Sequence, residues 1–120
     1  MTQIYRCALV LACVLVAWGI SSINQVVSAA GGDSAKGKSI FQAKCVVCHG
    51  PQGKGDGPIG TKLKPPPSNF TSADSKKKSE DELRNIIENG QPKTSMVAWK
   101  KQFNETEIQD VLAYVLTLRK

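Results

Sequence analysis

Residues 45–49 read Cys45-Val46-Val47-Cys48-His49, two thiols three positions apart with an imidazole directly after the second. This C-x-x-C-H run is the attachment signature of a c-type haem. The thiols add to the two vinyl groups as thioethers, and the histidine binds iron from the proximal side. The spacing lets both sulfurs reach one porphyrin edge from a single helical turn. C-x-x-C alone also serves zinc sites and redox dithiols. Structural zinc needs four ligands, and outside the N-terminal apolar run this chain offers two cysteines and one histidine. A thioredoxin-like dithiol wants a strand-helix-strand setting, and no strand pattern lies nearby.

The chain begins with a short polar segment carrying Arg6, followed by an apolar run from Cys7 to Ile20 and a small-residue stretch ending Val-Ser-Ala-Ala at Ala30. These are the three regions of a secretory signal, with Ser28 and Ala30 before the cleavage point. Residues 1–30 are therefore expected to be a signal peptide and 31–120 one domain. The competing reading is an uncleaved anchor; the run is shorter than the about 20 residues that span a bilayer comfortably, although it can stretch to Ile23. Cys7 and Cys13 read as small hydrophobes in that run. Export to the periplasm agrees with the motif, since covalent haem attachment of this kind takes place outside the bacterial cytoplasm.

Removing the leader takes Arg6 with it, leaving 15 Lys plus Arg against 10 Asp plus Glu, a net charge of +5. A basic domain suits nucleic acid, acidic membrane or acidic proteins. Nucleic acid is excluded by export and by the lack of aromatic-basic interleaving. Ninety residues bury a modest core, so a haem would add a large apolar face to pack on.

Asp33 to His49 reads as a helix with Asp33 as its N-cap. Ile40, Phe41, Cys45 and Cys48 share one face, and Gly37 on the same side suggests a close helix-helix crossing. From Gly50 to Gly60 five glycines alternate with polar residues, and Pro65, Pro66 and Pro67 follow. This is a haem-wrapping loop rather than a phosphate loop, because G-x-x-x-x-G-K-[ST] is absent. Lys76-Lys77-Lys78 reads as a solvated turn. Ser79 and Glu82 form a capping box for a short helix whose stripe is Leu83, Ile86 and Ile87, ended by Gly90. Asn104 and Glu107 open the clearest amphipathic helix, with Ile108, Val111, Leu112, Val115 and Leu116 on one face to about Leu118.

Over Asp33 to Leu118 the chain resembles the class I mono-haem c-type cytochromes. The resemblance rests on Cys45-Val46-Val47-Cys48-His49, on Met96 in a late loop, and on first and last helices placed to cross. Gly37 and Phe41 match the family's glycine and aromatic eight and four positions before the first cysteine, and Tyr114 matches their partner on the last helix. Gly50-Pro51-Gln52-Gly53-Lys54-Gly55-Asp56-Gly57 is similar to small bacterial members and to the cytochrome subunits of terminal oxidases. Val97 stands where the family often has proline.

The resemblance implies an all-α cytochrome c fold of three to four helices, N- and C-terminal helices crossing, wrapped around one covalent haem c. It implies His49 and Met96 as the metal ligands. Trp99 is expected to pack on the haem edge with its N–H toward a propionate. A proline carbonyl, from Pro58 or Pro66, is expected to fix the His49 tautomer. The function implied is exported electron transfer, not enzymatic chemistry. The alternatives are a membrane-anchored subunit of an oxidase or dehydrogenase and, behind it, a haem enzyme with an open iron site. Expected partners are redox proteins with acidic patches, met by lysines among Lys44, Lys54, Lys62, Lys64, Lys93, Lys100 and Lys101.

Overall fold

A computed structural model describes residues 31–120. The leader expected at residues 1–30 lies outside the described residues. Five helices follow in order: α1 (Ser34–Lys44), α2 (Val46–His49), α3 (Ala73–Lys77), α4 (Glu80–Asn89) and α5 (Glu105–Leu118), with a 3₁₀ turn at Gly60–Lys62. No strand occurs among the described residues, and no helix there is long and apolar enough to cross a membrane.

Local chemistry starts the main helices. The Asp33 carboxylate accepts from the backbone N–H of Ala35 at 2.9 Å and of Lys36 at 3.2 Å, satisfying two N–H groups that open α1. Both expected capping boxes form, Ser79 with Glu82 on α4 and Asn104 with Glu107 on α5. Hydrogen bonds from Ser79 hold the Glu82 carboxyl below its ordinary pKa. Gly90 closes α4 with φ of 76°.

The first helix is shorter than its sequence suggests. α1 ends at Lys44, Cys45 caps it, and a separate turn, α2, carries the rest of the motif. The Lys76–Lys78 turn is corrected as well. Ser72 accepts from the Ser75 N–H and nucleates α3, whose end contains Lys76 and Lys77. Arg119, just past α5, reaches back to this connector and donates to the carbonyls of Ser75 and Lys78.

α1 packs chiefly on α5. A Cβ on Gly37 would fall on the Asp110 carbonyl of α5, so only glycine allows this approach. Beside the crossing, Asp110 is buried (5% exposed) and its carboxylate accepts from the Asp33 N–H at 2.6 Å. Phe41, Phe70, Val111 and Val115 form the core, with Ile40, Cys45, Val46, Ile87, Tyr114 and Leu118 packed around it. The Phe41 ring meets Tyr114 edge-on with centroids 5.3 Å apart, and Phe70 at 6.4 Å. Each such pair adds about 0.5–1.5 kcal/mol beyond its burial. α1 and α5 are thereby locked, and the motif that follows α1 is set against the core.

Candidate functional site

The motif lies on one wall of a cavity of about 410 Å³. Cys45, Cys48 and His49 come from the end of α1 and from α2. Leu63, Pro65–Pro67 and Ser68 come from the long loop, Leu83, Ile86 and Ile87 from α4, and Met96 and Trp99 from the loop before α5. Cys45, Cys48, His49, Met96 and Trp99 therefore line one cavity.

The loop after the motif folds back onto it. Gly55 N–H donates to the His49 carbonyl at 2.8 Å, Gly57 N–H to Cys48 at 3.2 Å, and Ile59 N–H to Val47 at 3.0 Å. A Cβ on Gly60 would collide with the Cys48 carbonyl, which explains a glycine at that position. These bonds hold α2 from its outer side, so its cysteines and imidazole are fixed toward the cavity.

Cys45 and Cys48 are half-buried free thiols. Burial, with the neighbouring Cys48 adding to it, pushes the Cys45 thiol up to about 11. A raised thiol pKa disfavours the thiolate that disulfide exchange uses. Thioether formation asks only that the sulfurs be present and correctly spaced.

The His49 ring stacks on Phe70, with centroids 4.8 Å apart and planes 25° apart. Burial lowers its pKa, and a hydrogen bond with the Ser68 backbone works against that. The net lowering keeps the imidazole neutral, the form that binds metal. The Ser68 backbone, just past the Pro65–Pro67 run, lies beside the ring. Nδ1 remains buried without a well-formed hydrogen bond.

Met96 is half-buried in a loop tied to α4. Gln91 N–H donates to the Met96 carbonyl at 3.1 Å, Met96 N–H to the Thr94 hydroxyl at 3.1 Å, and Trp99 N–H to the Ile87 carbonyl at 3.0 Å. Trp99 stacks flat on Phe103, with centroids 4.9 Å apart and an 8° interplanar angle, and also lines the cavity. Two paired thiols, a neutral imidazole and a thioether around an apolar cavity suit one covalently held haem. No cluster of three or more His, Cys, Asp or Glu able to hold a separate metal ion occurs among the described residues.

The family model described as Cytochrome c matches residues 34–119. No match was found among curated proteins. One similar solved structure is the Kuenenia stuttgartiensis reducing HAO-like protein complex Kustc0457/Kustc0458, with TM-score 0.62 and 23% identity over 72% of this chain. The likeness spans 42% of that chain's length and concerns the fold alone. A second is the KustC0563 c-type cytochrome, with TM-score 0.54 and 25% identity over 69% of this chain and 93% of that one.

Proposed function

Because the chain belongs to the cytochrome c family, we propose that it is an exported single-haem electron carrier with His49 and Met96 as axial ligands. The fold is the small cytochrome c fold, and the cofactor is one covalent haem c on Cys45 and Cys48. When bound, that group supplies a one-electron couple. His49 would hold the haem iron, and Met96 would offer a soft thioether that favours ferrous iron and raises the potential. With both bound, no open position would remain for substrate. The observation that carries this reading is the meeting of Cys45, Cys48, His49 and Met96 on one apolar cavity.

Purified holoprotein, made in a host able to attach haem, should keep the mass of one haem through acid-acetone extraction and denaturing electrophoresis. The double variant Cys45→Ala/Cys48→Ala should keep none. A colourless wild type with two titratable thiols would falsify the assignment. Intact mass should also place the mature N-terminus at Gly31, in a periplasmic extract. Retention of residues 1–30 would favour the anchored-subunit reading instead.

The partner we propose is an acidic redox protein. Lys44, Lys54, Lys62, Lys64, Lys93, Lys100 and Lys101 are all exposed, and Val47, Ile59 and Val97 are exposed hydrophobics beside the motif and the Met96 loop. Apolar contact near the haem edge with lysines around it favours brief, steered encounters. The Debye length shrinks from about 30 Å at 0.01 M salt to about 8 Å at 0.15 M. The bimolecular electron-transfer rate with an acidic partner should therefore fall as salt rises. Reversing Lys62 and Lys64 to glutamate should lower the rate and flatten its salt dependence. Stopped-flow rates that stay flat or rise with salt would discard basic docking.

A further inference from the structure

Among the described residues, two side chains bearing a full charge line the cavity, Lys44 and Lys78, and both are cationic. A haem brings two propionates, on the side of the macrocycle opposite its two vinyl groups. Lys44 adjoins Cys45 and so sits at the vinyl side. Lys78 comes from the connector between α3 and α4. It is half-buried, where Lys76 and Lys77 are exposed. Its backbone is fixed from both directions: the Lys78 N–H donates to the Ser75 carbonyl at 3.1 Å, and Arg119 donates to the Lys78 carbonyl at 2.9 Å. A half-buried lysine on the lining of an apolar cavity has its ammonium within reach of an anion held there.

We propose that Lys78 pairs with a haem propionate and, by neutralising it, holds the haem potential up. The proposal requires the haem and is independent of electron-carrier function. The rival occupant of the Lys78 charge is Glu82, whose carboxyl it also attracts, as the smallest of the influences on that group. Glu82 is fully exposed and already engaged by Ser79, so it does not account for the half-burial of Lys78. Arg119 acts as the positioning residue.

The test is equilibrium redox titration of holoprotein variants at low and high salt. An uncompensated carboxylate beside the porphyrin stabilises ferric iron. Lys78→Gln should raise the ferric-to-ferrous ratio at fixed ambient potential by about fivefold, the scale of one partly screened charge near the iron. Lys78→Arg should restore the wild-type ratio. Lys44→Gln and Lys76→Gln remove the same charge without removing a propionate partner, and Glu82→Gln removes the rival. Their smaller shifts should vanish at 1 M salt, where the Debye length is about 3 Å. The Lys78→Gln shift should persist there, because a half-buried pair is poorly screened. A Lys78→Gln shift that matches Lys76→Gln, or that disappears at 1 M salt, overturns the proposal. So does a Glu82→Gln shift of the same size in the opposite direction that persists at 1 M salt.

Discussion

Replacing Met96 by alanine is expected to lower the midpoint potential on the order of 0.2 V, within the roughly 0.8 V span that axial ligands command. The loop should survive the change. Its bonds run through backbone groups, Gln91 N–H to Met96 carbonyl within the loop and Trp99 N–H to the Ile87 carbonyl of α4, and through the Thr94 hydroxyl. What is lost is the sulfur. Ferrous Met96→Ala should bind carbon monoxide readily, and the ferric form should lack the weak sulfur-to-iron charge-transfer band of the wild type. An unchanged potential, together with refusal of carbon monoxide, would exclude Met96 as a ligand and reopen the choice of distal group.

Gly37→Val should be the most destabilising substitution away from the cavity. The added Cβ falls on the Asp110 carbonyl, a backbone atom in the middle of α5 that has no rotamer to adopt. Either the two helices separate or the backbone of one distorts, and Phe41, Val111 and Val115 lose packing together. Overpacking costs typically 1–3 kcal/mol and sometimes more, and a clash with backbone belongs at the top, about 3 kcal/mol. For a domain of 60–100 residues this lowers Tm by roughly 12–24 °C. Lys38→Ala, one position on and exposed, should shift it little. Thermal unfolding of both holoproteins decides the matter; a Gly37→Val midpoint within a few degrees of wild type would mean that the crossing tolerates a side chain.

What the sequence made legible was local. Asp33, Ser79 with Glu82, and Asn104 with Glu107 announce helix starts because each satisfies backbone donors within three residues of itself. The stripe from Ile108 to Leu116 is likewise a property of one helix; Ile108, Val111, Leu112 and Val115 are buried as expected, and Leu116 is half-buried. Gly37, Phe41 and Tyr114 were legible through a family pattern, and the ring contact of Phe41 with Tyr114 bears that pattern out.

What stayed hidden depended on distant partners. α3 has five residues and no apolar stripe, so periodicity could not reveal it; the Ser72 cap was the one available signal. The break at Cys45 interrupts a stretch whose hydrophobic spacing continues through it. Ser68 lies beside His49 because the proline run delivers it there, and an exposed serine gives no sign of this. Lys78 looked like the third member of a solvated lysine run. Arg119, 41 residues away, sets it apart from its two neighbours, and no local pattern carries such a tie.

The pin between Asp33 and Asp110 also sets a length. It fixes the start of α1 against α5, so a retained leader would have little slack at the point where it joins the domain. Seven residues, Asn24–Ala30, separate the longest reading of the apolar run from Gly31. Fully stretched, they reach at most about 25 Å. Left uncut, that leash would confine the haem domain to a shallow cap above the membrane and present it to an adjacent complex at an effective concentration of millimolar order. Cut after Ala30, the same domain must find each partner by free diffusion. A single peptide bond therefore separates a resident that serves one neighbour from a courier that serves many.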